Sequence, residues 1–419
     1  MNKLIFMWMA LLGFVWATGA SADDRLPLTL SAAVERATST NPALQAASLE
    51  LDIAGGQRDA AALPPATTIG VELENFAGGG AFSDFDSAET TLLVARQFER
   101  GDKAELRRAA GDRRLDLAVI NEWSTRIDIE AETEQLFYRT LASQSDEQWA
   151  AEAIAVAEQT LAIVEQRVDI GRSSDAESHT AFIRLTRARL MLEQNRRQSI
   201  ATRNQLALQW GAAVVDFDAV AGDLMRIPQI PALATLRDRL DGNPELARLV
   251  SEVNLVAAEQ QLAAAQAKTD IELSAGVRYL SSSNDAALVF GVNVPFGQGR
   301  RAEPLGRAAS ARLAQAPLET EQRRRELMTT ISRLHAEIEQ RRLALDSIRQ
   351  EMVPRANASL ELYRQGYERG GYSLLELTEA QNMALGLRRE LIDVAIELHI
   401  LRIQLIRLTG GSQAPGASL

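Results

Sequence analysis

The sequence predicts a mainly α-helical chain with a small membrane β-part, and three observations carry that prediction. One frame of elements occurs twice along the chain. Each copy holds two strand-like runs with period-two alternation. Each copy then continues into helical stretches far longer than a globular domain uses.

The chain begins on an export signal. Lys3 supplies a positive charge, Leu4 to Trp16 is almost unbroken apolar sequence, and Ala20-Ser21-Ala22 is a small-x-small cleavage site before Asp23-Asp24. The apolar core is too short to span a bilayer, so residues 1–22 are expected to be a signal peptide removed after Ala22.

The first repeat covers 23–209 and the second 232–409. Thr40-Asn41-Pro42-Ala43-Leu44 returns as Gly242-Asn243-Pro244-Glu245-Leu246, with Asn placed to cap a helix and Pro at its first position. Alanine-rich helical stretches follow, Ala46 to Ala62 and Arg248 to Lys268. Next come the strands. Ile271, Leu273, Ala275, Val277 and Tyr279 share one face, with Glu272, Ser274, Gly276 and Arg278 on the other. Leu288, Phe290, Val292, Val294 and Phe296 share a face of the partner run. The first copy sets Ile69, Val71 and Leu73 against Thr68, Gly70, Glu72 and Glu74, and its second run, Thr90 to Phe98, is less regular. Such alternation suits a tilted strand with one face to lipid and one to a wet lumen. Aromatic residues cluster here (Phe76, Phe82, Phe85, Phe98, Tyr279, Phe290, Phe296), as an interfacial girdle would.

Each strand pair ends in a glycine turn with basic neighbours, Arg100-Gly101-Asp102-Lys103 and Gly297-Gln298-Gly299-Arg300-Arg301. Helices are expected over Ala104 to Leu141 and Leu305 to Met352, about 55–70 Å each. The last helix carries two heptad series: Leu377, Ala384, Leu391, Leu398 and Leu405, then Ala380, Leu387, Val394, Leu401 and Leu408. That spacing predicts left-handed coiled packing. Its counterpart, Asp175 to Gln209, is helical but less strictly heptad. Residues 210–231 read as an irregular segment between the copies, and 410–419 as a flexible tail.

Composition narrows the function. The net charge of −11 argues against a nucleic-acid partner. There is no cysteine, so packing alone holds the exported fold and no acylated cysteine can anchor it. No second long apolar segment follows the signal, which leaves a strand barrel as the route through a membrane. His179, His335 and His399 are far apart in sequence, the mature methionines are scattered, and no cofactor or metal site is expected. His399, beside the heptad seam, reads as a helix-surface residue. There is no phosphate loop and no nucleophile elbow, so an enzyme is not expected. Four strands cannot close a barrel, because the smallest have about eight, and open edges in lipid are costly. Several copies must therefore share one barrel.

With signal, duplicated frame, strand pairs and long helices in place, the chain resembles the TolC family of outer-membrane efflux proteins over essentially its whole mature length. The hairpin-tip motif stands as Tyr367-Glu368-Arg369-Gly370-Gly371-Tyr372-Ser373-Leu374-Leu375-Glu376-Leu377, with Gly171-Arg172-Ser173-Ser174-Asp175-Ala176-Glu177 in the first copy. The turn Pro295-Phe296-Gly297-x-Gly299-Arg300 and the alanine-rich helices look most like the heavy-metal, CzcC and CusC type, branch, although the lipidated cysteine frequent in CusC-type members is missing.

The resemblance implies a homotrimer whose twelve strands, four per chain, form one outer-membrane β-barrel continuous with a periplasmic α-helical coiled-coil tunnel. It implies a Gram-negative host, contact with outer-membrane lipid, and two protein partners, a periplasmic membrane-fusion adaptor and an inner-membrane RND pump. It places Glu376 and Glu379 at the narrow end of the tunnel, where three copies would form carboxylate rings; acids in a first helical turn also simply favour the helix dipole. Tyr367 and Glu177 fall where related channels hold the tip closed, and Tyr372 replaces a basic residue at the second such contact. A general drug-efflux or type I secretion duct of the same fold stays open as an alternative, and so does a soluble periplasmic coiled-coil scaffold.

Overall fold

The computed structural model describes residues 27–411 apart from Phe296 and Gln298, so the signal segment 1–22 and all of the tail beyond Gly411 lie outside the described residues. The first copy runs β1 (Leu28–Thr29), α1 (Leu30–Thr40), α2 (Pro42–Ala61), β2 (Thr68–Glu74), β3 (Glu89–Phe98), α3 (Lys103–Asp169) and α4 (Asp175–Leu208). After β4 (Val220–Ala221), the second runs α5 (Leu233–Asp238), α6 (Pro244–Gln266), β5 (Ile271–Leu280), β6 (Asp285–Asn293), α7 (Gly299–Ser347), α8 (Val353–Arg369) and α9 (Leu374–Leu408). The repeat shows in its caps. The Asn41 and Asn243 side-chain oxygens accept from the backbone N–H groups of Ala43 and Glu245, and Pro42 and Pro244 fill a position that needs no donor.

The four long strands form one antiparallel sheet in the order β2-β3-β5-β6, so the β3–β5 pairing joins the two copies and β2 and β6 are left as edges. Register explains the faces. Val71, Leu92, Val277 and Leu288 stand in one row across the sheet, and Ile69, Val94, Ala275 and Phe290 in the next. These side chains are exposed, Phe290 to 76%, which is untenable in water for so continuous an apolar face. At about 3.3 Å per residue and about 40° of tilt, the ten residues of β5 cover about 25 Å, the height of a membrane band. The opposite face is polar. Arg278 donates to Glu89 at 2.8 Å and to Thr91 at 3.0 Å, and pairs with Glu74 at 3.2 Å.

A polar clamp ties sheet to helices. Gly101 (φ +86°) and Asp102 (φ +57°) turn the chain through the left-handed region, and a Cβ at position 101 would run into the Lys268 side chain. Lys103 is thereby aimed inward, where its ammonium donates to Asp270 at 2.7 Å and to the Lys268 carbonyl at 2.8 Å. Lys103 is buried and Asp270 largely so. Next to it Arg107 holds Glu99 at 2.5 Å and donates to the Ala61 carbonyl.

One helical expectation was too short, and the other ran across a break. α3 does not stop near Leu141: nothing between Lys103 and Asp169 breaks it, and its 67 residues span about 100 Å. In the second copy α7 reaches only Ser347, a π-helical turn follows at Ile348–Met352, and α8 continues to Arg369. The segment 210–231 is less separate than its composition suggests. β4 pairs in parallel with β1, and Phe217, Val220 and Leu224 are buried in the main core with Phe137, Leu206, Ile331 and Leu398.

The last helix packs on two sides. One side carries the heptad residues Leu377, Ala384, Leu398 and Leu405, all buried. Another is clamped antiparallel to α3 by Arg388–Glu152, Arg389–Asp146, Arg402–Glu134 and Arg407–Asp128. His399 lies on that second side and is fully buried, so the surface expectation for it is overturned. It stacks on Tyr138 at 3.7 Å, and its Nε2 lies 3.0 Å from the Leu224 carbonyl. Burial, together with the Arg402 charge, pushes its pKa down from 6.5 to about 4. Between those values the unfolded chain binds the proton and the folded chain does not, so stability falls as pH drops from about 6.5 to about 4. The expected loss is up to about 3 kcal/mol. Melting curves against pH should show this slope in the parent chain and a flatter one in His399→Gln.

Candidate functional site at the helical tip

The end of the bundle far from the sheet is built from two helix hairpins, α3–α4 and α8–α9. Each turns on glycine and restarts on a serine cap, Ser174 for α4 and Ser373 for α9. Gly171 (φ +70°) and Gly370 (φ +84°) allow the tight reversal. Val164, Ala181, Leu374, Leu377 and Tyr367 form a small core of their own between the hairpins.

Tyr367 is the centre of that core and is almost fully buried. Its hydroxyl donates to Glu177 at 3.4 Å and lies 3.3 Å from the Ser173 hydroxyl. Burial raises its pKa, so it stays a neutral donor. Tyr367 and Glu177 are thus brought together within one chain. One partner was not legible beforehand. Arg167 donates to the Tyr367 carbonyl at 2.5 Å and to Ser173 at 3.1 Å, and its guanidinium lies 4.6 Å from the Tyr367 ring centroid. Arg167 sits just before the first tip motif, where a basic residue in a last helical turn reads as an ordinary dipole partner. Tyr372 packs against Tyr363 at 4.7 Å.

Glu376 and Glu379 lie three residues apart on the exposed start of α9. Glu376 closes a capping box: its carboxylate accepts from the Ser373 N–H and hydroxyl, both at 2.8 Å, while the Glu376 N–H donates to the Ser373 hydroxyl. Those bonds from Ser373 hold its carboxyl below the usual range. It is therefore a fixed, ionised acid at the tip. Among the described residues no group of three or more His, Cys, Asp or Glu is placed to hold a metal ion, and no helix is long and apolar enough to cross a membrane.

The chain is 24% identical over 355 residues to the cobalt-zinc-cadmium resistance protein CzcC of Cupriavidus metallidurans, covering 85% of this chain and 83% of that one. Its fold matches that of CusC, described as forming a transmembrane channel, with a TM-score of 0.78 at 17% identity, over 93% of this chain and 94% of that one. It also matches the outer membrane protein VceC of Vibrio cholerae, with a TM-score of 0.73 at 19% identity, over 91% and 96% of the two chains. The family model described as outer membrane efflux protein matches residues 33–212 and 235–411, and this chain belongs to that family.

Proposed function

We propose that this efflux protein is the outer-membrane channel subunit of a tripartite RND-type system and conducts heavy-metal cations outward. The observation that carries the cargo is the match along most of the chain to a cobalt-zinc-cadmium resistance protein. The working form is a homotrimer in the outer membrane of a Gram-negative bacterium, reached after loss of the signal segment. The two unpaired edges β2 and β6 support it, since three copies edge to edge give twelve strands and leave no edge in lipid. Apolar side chains exposed on α4, among them Ile183 and Leu190, offer the helical part of the same contact. An inner-membrane pump supplies the energy and selects cargo, and a periplasmic adaptor joins it to the tip.

At the tip the Tyr367–Glu177–Arg167 contacts hold the hairpins shut, and Glu376 with Glu379 lines the narrow end. Deleting the gene should raise sensitivity to divalent cobalt, zinc and cadmium; increased sensitivity to drugs alone would sink the metal reading. Glu376→Ala should weaken cation preference and block by trivalent cations in planar bilayers, whereas unchanged conductance and block would leave Glu376 as a helix cap only.

A further inference from the structure

Charge is unevenly placed on the face of the sheet that turns away from lipid. Its rows, read from the helical end toward the strand turns, begin with Thr68, Ala95, Ser274 and Gly291, then Gly70, Leu93, Gly276 and Val289. Neither row carries a charge. The next two rows hold Glu72, Thr91, Arg278 and Ala287, then Glu74, Glu89, Leu280 and Asp285. Every formal charge of these four rows therefore stands where the strands turn back, at the mouth farthest from the helices. A ring of acids at such a mouth attracts cations.

Within those two rows Arg278 is the one cation against four carboxylates. Its guanidinium reaches two strands besides its own. It donates to Glu89 at 2.8 Å and pairs with Glu74 at 3.2 Å, while its Nε donates to the Thr91 hydroxyl at 3.0 Å. Thr91 is buried, so that bond fixes the base of the fork and aims its two ends at the acids. Glu74 and Glu89 are direct cross-strand partners, a placement in which like charges repel unless a cation stands between them. Asn75 adds a bond to Glu89 at 3.0 Å. Glu72 and Asp285 stay exposed, with no cation paired to either among the described residues.

Two facing carboxylates, with Glu72 one row away, are the oxygen donors that divalent cations take. Arg278 fills the place between them. An outlet must draw an ion in and still let it go, and a complete chelating site at its mouth would fail the second condition. We propose that Arg278 is a resident counter-ion of the exit, which occupies the Glu74–Glu89 pair so that a departing divalent cation meets an acidic surface and no site that captures it. This rests on the reading of the cargo as heavy-metal cations. The role needs a fixed positive charge, so lysine keeps it and glutamine removes it.

The test is zinc binding by the purified full-length oligomer, measured by equilibrium dialysis against zinc chloride at fixed pH and salt. The parent chain is compared with Arg278→Gln, Arg278→Lys and the double variant Arg278→Gln/Glu74→Gln. Zinc should bind about tenfold more tightly to Arg278→Gln than to the parent, because one positive charge beside the site is gone. Arg278→Lys should stay near the parent, and the double variant should lose the gain. In cells, Arg278→Gln present at the parent's level should lower zinc tolerance, and Arg278→Lys should not. A residue that only staples three strands would lower the melting temperature when replaced and leave zinc affinity where it was. Unchanged zinc affinity in Arg278→Gln, or a gain that survives Glu74→Gln, overturns the proposal and leaves the cargo reading standing. A gain in affinity with full zinc tolerance also overturns it. Deletion of the whole gene without loss of metal tolerance sinks the cargo reading and the release role with it. Where Arg278→Gln does not assemble, Thr91→Val decides: it keeps the charge but frees the fork, and zinc affinity should rise about threefold. No rise there overturns the proposal.

Discussion

Val277→Arg should nearly abolish assembled channel in the outer membrane. Val277 sits in the central row of the outward face with Val71, Leu92 and Leu288, and its surroundings are apolar on both flanking strands. An arginine at the bilayer midplane costs about 2–4 kcal/mol, and a shared barrel incurs it once in every copy. Summed over three copies this rivals the whole stability of a typical domain. Val289→Arg is the control, because Val289 faces the other way in the row of Leu93 and Gly276. It should assemble close to normally and change conductance instead. The check is the fraction of protein recovered as a heat-dissociable oligomer from outer membranes; equal recovery of the two variants would mean that the apolar face does not meet lipid.

Lys103→Met should lower thermal stability by about 3 kcal/mol, since removing one partner of a buried ion pair strands the other. Asp270 would keep the Arg100 N–H and the Gln97 amide, both at 3.0 Å, and lose the ammonium it pairs with. The double variant Lys103→Met/Asp270→Leu should recover part of that loss, because a matched apolar pair avoids desolvating either charge. Melting followed by helical circular dichroism in detergent measures both. A double variant no better than the single one would show that the Asp270 contacts to the backbone, rather than the ion pair, hold sheet to helices.

What could be read beforehand follows the range of the interaction. The strands were legible because a face to lipid and a face to water impose period two on residues such as Leu273, Ala275 and Val277. The caps at Asn41 and Asn243 were legible because a cap acts within three residues. α3 was cut short at Leu141 because the alanine- and serine-rich stretch after it shows little periodicity, although nothing in it stops a helix. His399 was misplaced because one heptad seam was assumed, whereas α9 packs on α3 as well as along its own seam. The Lys103–Asp270 clamp and the part played by Arg167 were hidden for a simpler reason. Their partners lie 167 and 200 residues away, and no local pattern encodes such a pairing. The tip acids were legible as residues; what the fold adds is that Glu376 is already committed to capping Ser373.

The β3–β5 pairing, by which one chain's two copies lie side by side, has a consequence for symmetry. A ring of three such chains is a wall of six nearly equivalent modules, and a tube of six equal modules would have to dilate uniformly. Only alternate modules carry a π turn and a proline; the other three are uninterrupted rods of 67 residues. The duplication therefore supplies a sixfold cylinder, and the irregularities of the second copy lower it to threefold, with three staves continuous and three interrupted.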